Sequence, residues 1–352
     1  MSAPAPAETR RRRDTPGVGL RHSIAHDRVP PAGGDGHPLI ELMLARHQAG
    51  SQRGAREDDA VIAVAIEGGG SCGVISAGMC LVLEQTGLID AVDMIYGTSS
   101  GALNGSFTAS GQAALGTTNY LDVASTQFAN PLRVLTGRAV IDFDFLFDEL
   151  IGTRKPYDAD KLAAGPAFYA ICVDLDSSAL QILGDFRDVH ELAAAVRASC
   201  SLPLLADAQA AFRGRTVADG GLIQSIPYSA ALTGGATHVL VLRSHTAGHR
   251  QVQYPRALIE LARRVAHPSV APLMRDRPDI YNAEAGHLET IGSGDPRLFQ
   301  IAPSDAMPRV NPLEISGNAI RVGLASGAAA AAGALGLPPI EVLWQPELYV
   351  TA

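Results

Sequence analysis

Between residues 92 and 107 the chain passes from a short apolar run, Val92-Asp93-Met94-Ile95-Tyr96, through Gly97-Thr98-Ser99-Ser100-Gly101, into small and apolar residues, Ala102-Leu103-Asn104-Gly105-Ser106-Phe107. The order reads as strand, sharp turn and helix. G-x-S-x-G in that setting is the pattern of a nucleophile elbow. Side chains at 97 and 101 would collide with the neighbouring strand and helix. The tight turn forces Ser99 into a strained backbone and pushes its hydroxyl out at the carboxyl end of the sheet. In a chain with 36 glycines the pattern also reads as a plain glycine-rich turn. Partners for Ser99 decide between the two.

The preceding strand is Val61-Ile62-Ala63-Val64-Ala65-Ile66, a continuous apolar run of the kind buried on both faces of a parallel sheet. It enters Glu67-Gly68-Gly69-Gly70-Ser71-Cys72-Gly73 and then a helical stretch, Val74 to Gln85. Gly68, Gly70 and Gly73 fit G-x-G-x-x-G, so a dinucleotide-binding loop is one reading. The physics is shared with a second. A glycine turn at a helix N-terminus offers free backbone N–H groups to an anion, either a pyrophosphate or the oxyanion of a tetrahedral intermediate. Right-handed β-α-β connection puts this loop beside the Ser99 turn. Acyl transfer needs an oxyanion site next to its nucleophile, and a dinucleotide site does not, so the pairing favours acyl chemistry.

Further along, Phe143, Phe145, Leu146, Phe147 and Leu150 form an aromatic-apolar stripe read as core. Phe168–Val173 and Ala179–Leu183 read as strands around an Asp/Ser turn at 174–178. Val189–Ala198 reads as a helix stopped before Pro203. Arg215–Ala218 is a short strand ending in Asp219-Gly220-Gly221, where Asp219 is either a turn residue or the base that Ser99 needs. His238–Leu242 is another buried-type strand. A Ser-Asp-His triad stays open, because His238, His245 and His249 follow Asp219 in the order such triads use.

A net charge of −8 excludes a nucleic-acid partner as the leading reading. Cys72, Cys80, Cys172 and Cys200 show no metal-like spacing and read as free thiols of a reducing, cytoplasmic compartment. No apolar stretch is long enough to span a membrane. Residues 1–36 read as a disordered tail, and 37–352 as one domain with its motifs at 61–242 and a helical part at 250–352.

Gly68–Gly73, Gly97–Gly101 and Asp219–Gly221, in this order and spacing, resemble the patatin-like phospholipase family. Ala198-Ser199-Cys200-Ser201-Leu202-Pro203 is similar to that family's A-S-x-x-x-P turn. The resemblance implies a three-layer α/β/α fold with a mostly parallel central sheet. It implies a Ser99–Asp219 catalytic dyad and an oxyanion hole in the loop Gly68, Gly69, Gly70, Ser71, Cys72, Gly73, centred on the Gly69 and Gly70 N–H groups. Gly97, Gly101, Gly220 and Gly221 would support elbow and dyad. The implied reaction is hydrolysis of lipid acyl esters through an acyl-serine, with no calcium or other cofactor. A lipid or other acyl-ester substrate and transient contact with a membrane surface follow from it, although no strongly basic amphipathic helix is evident. One departure stands out: Cys72 occupies a position where many bacterial members carry Arg. An acyltransferase or cyclase on the same scaffold is the alternative that this departure supports.

Overall fold

The structure, a computed structural model, describes residues 19–21, 36–125, 128–130, 132–133, 139–205, 210–291, 294–338 and 341–343. Its strands are β1 (Gly19–Arg21), β2 (Ile62–Ile66), β3 (Met94–Thr98), β4 (Ala167–Asp174), β5 (Leu180–Leu183), β6 (Ala210–Phe212), β7 (Arg215–Asp219), β8 (His238–Leu242), β9 (Leu298–Ile301) and β10 (Glu341–Leu343). Its helices are α1 (Pro38–Gln48), α2 (Gly73–Gln85), α3 (Ser100–Ala109), α4 (Ala113–Val123), α5 (Ala159–Ala164), α6 (Val189–Cys200), α7 (Tyr228–Thr233), α8 (Arg256–Val265), α9 (Val270–Ile291) and α10 (Gly317–Ala334). Within the stretch read as a tail, β1 pairs antiparallel with β10.

The main sheet runs β6-β7-β4-β3-β2-β8-β9, with β5 also on β4. The β4-β3-β2-β8-β9 pairs are all parallel. The apolar strands alternate between two cores, as a period of two requires. Ile62, Val64 and Ile66 of β2 join Leu240 and Leu242 of β8 on one face. Ala63 and Ala65 join Val239 and Val241 on the other. The first face is covered by α2, α3, α6 and α10, the second by α7 and α9. This is the mixed α/β fold, with helices on both faces of a mostly parallel sheet, that the motifs imply. Each large aliphatic side chain buried here contributes roughly 1.5–3 kcal/mol.

The Asp/Ser segment after β4 is a turn, as read: Asp174 Oδ1 accepts from the N–H groups of Asp176 and Ser177, both at 3.0 Å. Asp188 caps α6 by accepting from His190 and Glu191 N–H. All four cysteines are free and buried. Among the described residues no helix is long and apolar enough to cross a membrane.

One topological detail positions the site. β4 outruns β3: Thr98 pairs with Ile171, and β4 continues to Asp174. β7 runs antiparallel along this overhang, with Asp219 opposite Cys172. Residues 170–173 of β4 carry β5 on their opposite edge. β3 and β7 therefore share one edge of β4 and meet head to head.

Candidate active site

The turn after β3 has the strained geometry read from the sequence. Ser99 has φ 56° and ψ −126°, a conformation that L residues rarely adopt. Gly97 and Gly101 permit it by close approach. A Cβ on Gly101 would stand 2.3 Å from Ile66 O, and one on Gly97 2.4 Å from Gly101 O. The Ser99 N–H donates to Ser199 Oγ at 3.0 Å, and Ser199 in turn donates to Ile171 O at 2.6 Å.

Asp219, the last residue of β7, is buried. Its N–H donates to Ser201 O at 3.0 Å. The segment Ser199–Ser201 thus ties down both Ser99 and Asp219. Asp219 Oδ1 accepts from Gly221 N–H at 2.6 Å, while Oδ2 is buried and accepts no hydrogen bond among the described residues. Burial pushes the carboxyl up to about 6, against the lowering effects of the nearby Ser99 hydroxyl, the Gly221 N–H and Arg277. Arg277 reaches this turn by donating from Nε to Gly221 O at 2.7 Å. Gly220 lets the backbone approach β4, since a Cβ there would stand 2.3 Å from Ile171 O.

The glycine loop between β2 and α2 forms the facing wall. Of its six residues, four have their N–H groups engaged. Gly68 donates to Ser225 O, Ser71 to Pro312 O, Cys72 to Gly69 O, and Gly73 to Gly70 O. Among the described residues the Gly69 and Gly70 N–H groups carry no such bond, so the loop narrows to these two donors. Cys72 donates its thiol to Val310 O at 3.1 Å.

Ser99, Asp219 and the loop line one cavity of about 920 Å³. Leu103, Val123, Ile141 and Leu205 contribute apolar walls, and Phe143 and Leu146, read as core, also face it. Val252, Arg250, Arg309 and Leu313 stand along the same cavity.

Of the three histidines considered as partners of Asp219, His238 is the first residue of β8, at the far end of the strand, and bonds Thr237. His245 and His249 line the cavity, stacked with ring centroids 4.3 Å apart. His245 Nδ1 is bound to Glu67, not to Asp219.

The sequence assigns no role to Glu67, Arg243 or Tyr281, and gives Ser199 only as part of the A-S-x-x-x-P turn, without its bond to the Ser99 N–H. Glu67 is wholly buried and meets Arg243 Nε, Ser244 N–H, Tyr281 OH and His245 Nδ1 at 2.9, 2.8, 2.6 and 2.9 Å. A usable signal was present. Glu67 and Arg243 are each the first charged residue after an all-apolar strand, with opposite signs.

Residues 64–232 match the family model described as patatin-like phospholipase, and over that span the chain carries a patatin-like phospholipase domain. The chain is also similar to YjjU of Escherichia coli K12, an uncharacterized protein, with 28% identity over 224 residues. That match covers 60% of this chain and 59% of YjjU, so it spans less than two thirds of the curated relative. Among solved structures, VipD from Legionella pneumophila aligns over 82% of this chain and 69% of its own, at 11% identity and a TM-score of 0.38.

Proposed function

We propose that the protein is a serine acyl hydrolase of the lipid esterase or phospholipase type, with Ser99 as nucleophile and Asp219 as base. The observation that supports this most directly is the buried, unpartnered Asp219 Oδ2 on the same cavity as the positive-φ Ser99. A buried carboxylate with one oxygen held by Gly221 has its other oxygen free for one proton, that of Ser99.

The chemistry proceeds in two displacements. Ser99 Oγ attacks the ester carbonyl carbon as its proton passes to Asp219. The carbonyl electron pair moves to oxygen, facing the Gly69 and Gly70 N–H groups, where one good donor is worth about 3 kcal/mol. Collapse expels the alcohol oxygen, which takes the proton from Asp219. Water then attacks the acyl-serine, gives its proton to Asp219, and releases the carboxylic acid as Ser99 regains a proton. The raised pKa of Asp219 makes it a stronger base than a solvated carboxylate.

The apolar cavity wall suits an acyl chain, and the exposed surface beside its mouth suits a lipid interface. Tyr254 lines the cavity and packs in one cluster with Leu258 and Ile259 of α8. The outer side of α8 leaves Leu261 and Val265 exposed among Arg256, Arg263 and Arg264, beside exposed Val252. Transient docking on an anionic membrane surface through α8 is part of this reading.

The test is intact-protein mass after fluorophosphonate treatment of wild type, Ser99→Ala and Asp219→Asn. One adduct on wild type, absent from Ser99→Ala and strongly slowed in Asp219→Asn, is the expected result. A folded wild type that stays unlabelled would overturn the reading.

A further inference from the structure

The glycine loop Gly68–Gly73 contains no charged side chain. Negative charge developing at the Gly69 and Gly70 N–H groups would therefore meet only dipoles from the loop itself. A positive group is nevertheless built against it from β8 and the segment that follows. His245 packs on Gly69 so closely that a Cβ there would lie 2.9 Å from its Cε1. The ring is held from behind by Glu67 through Nδ1 at 2.9 Å, and it lines the cavity.

Counting charge around Glu67 shows what this contact means. Glu67 is one buried carboxylate, and Arg243, itself wholly buried, already neutralises it through Nε at 2.9 Å. Arg243 is further held by Gln300 Oε1 at 2.8 Å and lies 3.2 Å from Tyr281 OH. His245 is thus a second cation on the same carboxylate. Coulombic attraction to Glu67, and the Cys72 side chain within its reach, hold the imidazole up at about 10 despite burial. Burial and the His245 charge push the stacked His249 down to about 4, and burial pushes Tyr281 up, so both are neutral. Burial pushes the carboxyl of Glu284, which feels both Glu67 and Arg243, up to about 8, so at neutral pH it is uncharged. One carboxylate and two cations then leave one excess positive charge at the back of Gly69.

We infer that His245 is a positioning residue for the reaction proposed above, its imidazolium fixing Gly69 and setting a net positive charge behind the Gly69 and Gly70 N–H groups. The inference rests on the acyl-serine reading. His245 acts through the loop and does not exchange a proton with Ser99. Substituting the ring without its charge costs turnover while leaving binding of a neutral substrate alone, because the oxyanion exists only after attack.

The experiment measures fluorophosphonate inactivation, separated into maximal rate and half-saturating concentration, for wild type, His245→Asn and His245→Lys. Asn offers Glu67 an amide N–H in place of Nδ1 but carries no charge, whereas Lys keeps the charge. His245→Asn is expected to lower the maximal rate about tenfold or more with half-saturation within about twofold, and His245→Lys to recover most of the rate. A second readout needs no variant. The wild-type rate falls as pH rises through about 10, as His245 loses its proton, in a cluster where Glu67, Arg243, Cys72, His249, Tyr281, Arg309 and Glu284 are the titratable or charged neighbours; the ionisation of Glu284 near 8 is common to wild type and both variants, whereas the fall near 10 is absent from His245→Asn. In His245→Lys that fall moves to a different pH. Equal maximal rates for wild type and His245→Asn, or His245→Lys as slow as His245→Asn, overturn the inference and leave the acyl-serine reading intact. Wild type that takes no label at Ser99 overturns both.

Discussion

Ser99 and Asp219 stand where two strands leave the sheet on the same edge of β4, one register step apart. Thr98, just before the serine, pairs with Ile171, and Asp219 pairs with Cys172. Two strands running in opposite directions meet there, so a serine at the end of one faces a carboxylate at the end of the other without a long loop. Ser199 and Ser201 lock the junction from α6.

Ser199→Ala tests that lock. It removes the acceptor of the Ser99 N–H and the donor to Ile171 O, at a cost of about 1–3 kcal/mol. Labelling of Ser99 should slow about tenfold or more, since a small misplacement at the reacting atom is expensive. Ser110→Ala, whose hydroxyl bonds back only to Ser106 and Phe107 carbonyls, is the control and should label at nearly the wild-type rate.

The proton-accepting form of Asp219 is the ionised one. With its carboxyl pushed up to about 6, activity should appear as pH rises through that value. The initial rate of ester hydrolysis against pH gives the limb. A midpoint near the ordinary 3.8 would show that Asp219 is more hydrated than its burial implies.

The same shift has a cost in stability. A carboxyl raised in the folded state penalises folding fully above about 6; the penalty fades as pH falls from there towards 3.8 and is gone below it. Asp219→Asn removes the buried charge and keeps an oxygen for Gly221 N–H. It should be more stable than wild type at about pH 8, by on the order of 2–3 kcal/mol, and nearly equal at about pH 3.5. Urea denaturation at the two pH values checks the sign.

Glu67→Gln should act in the opposite direction. It leaves Arg243, at 0% exposure, without its carboxylate, and loss of one partner of a buried pair typically costs about 3–5 kcal/mol. A lowered melting temperature, with slower labelling in whatever fraction remains folded, is the expected outcome.

Leu261→Asp with Val265→Asp on α8 should leave hydrolysis of a soluble short-chain ester unchanged and reduce hydrolysis of phospholipid in anionic vesicles severalfold. An equal rate on vesicles would exclude α8 as the docking face.

The sequence carried the parts that depend on local chemistry. The apolar runs Ile62–Ile66 of β2 and Val239–Leu242 of β8, the glycines flanking Ser99, and the two glycines after Asp219 each state a backbone requirement within a few residues. The antiparallel arrival of β7 could not be read, because register depends on β4 outrunning β3 by three residues. The Glu67–Arg243–His245 cluster joins strand ends 176 residues apart through contacts that no local pattern encodes. Phe143 and Leu146 were read as core because an apolar residue facing a cavity and one facing a neighbour obey the same periodicity. Ser199 was legible only as part of the A-S-x-x-x-P turn, because its bond to the Ser99 N–H joins residues 100 apart.

The strip Val310–Glu314 touches the glycine loop at three places, through Val310 O, Pro312 O and Glu314 O. It lies well beyond residue 232, where the family match ends. The loop that would receive the oxyanion is therefore shaped from outside by a piece of chain with no catalytic duty. Such a piece is free to vary in sequence while Ser99 and Asp219 stay fixed. Changes there would reshape the loop without touching Ser99 or Asp219, so chains with matching motifs and different strips need not accept the same molecule in the cavity.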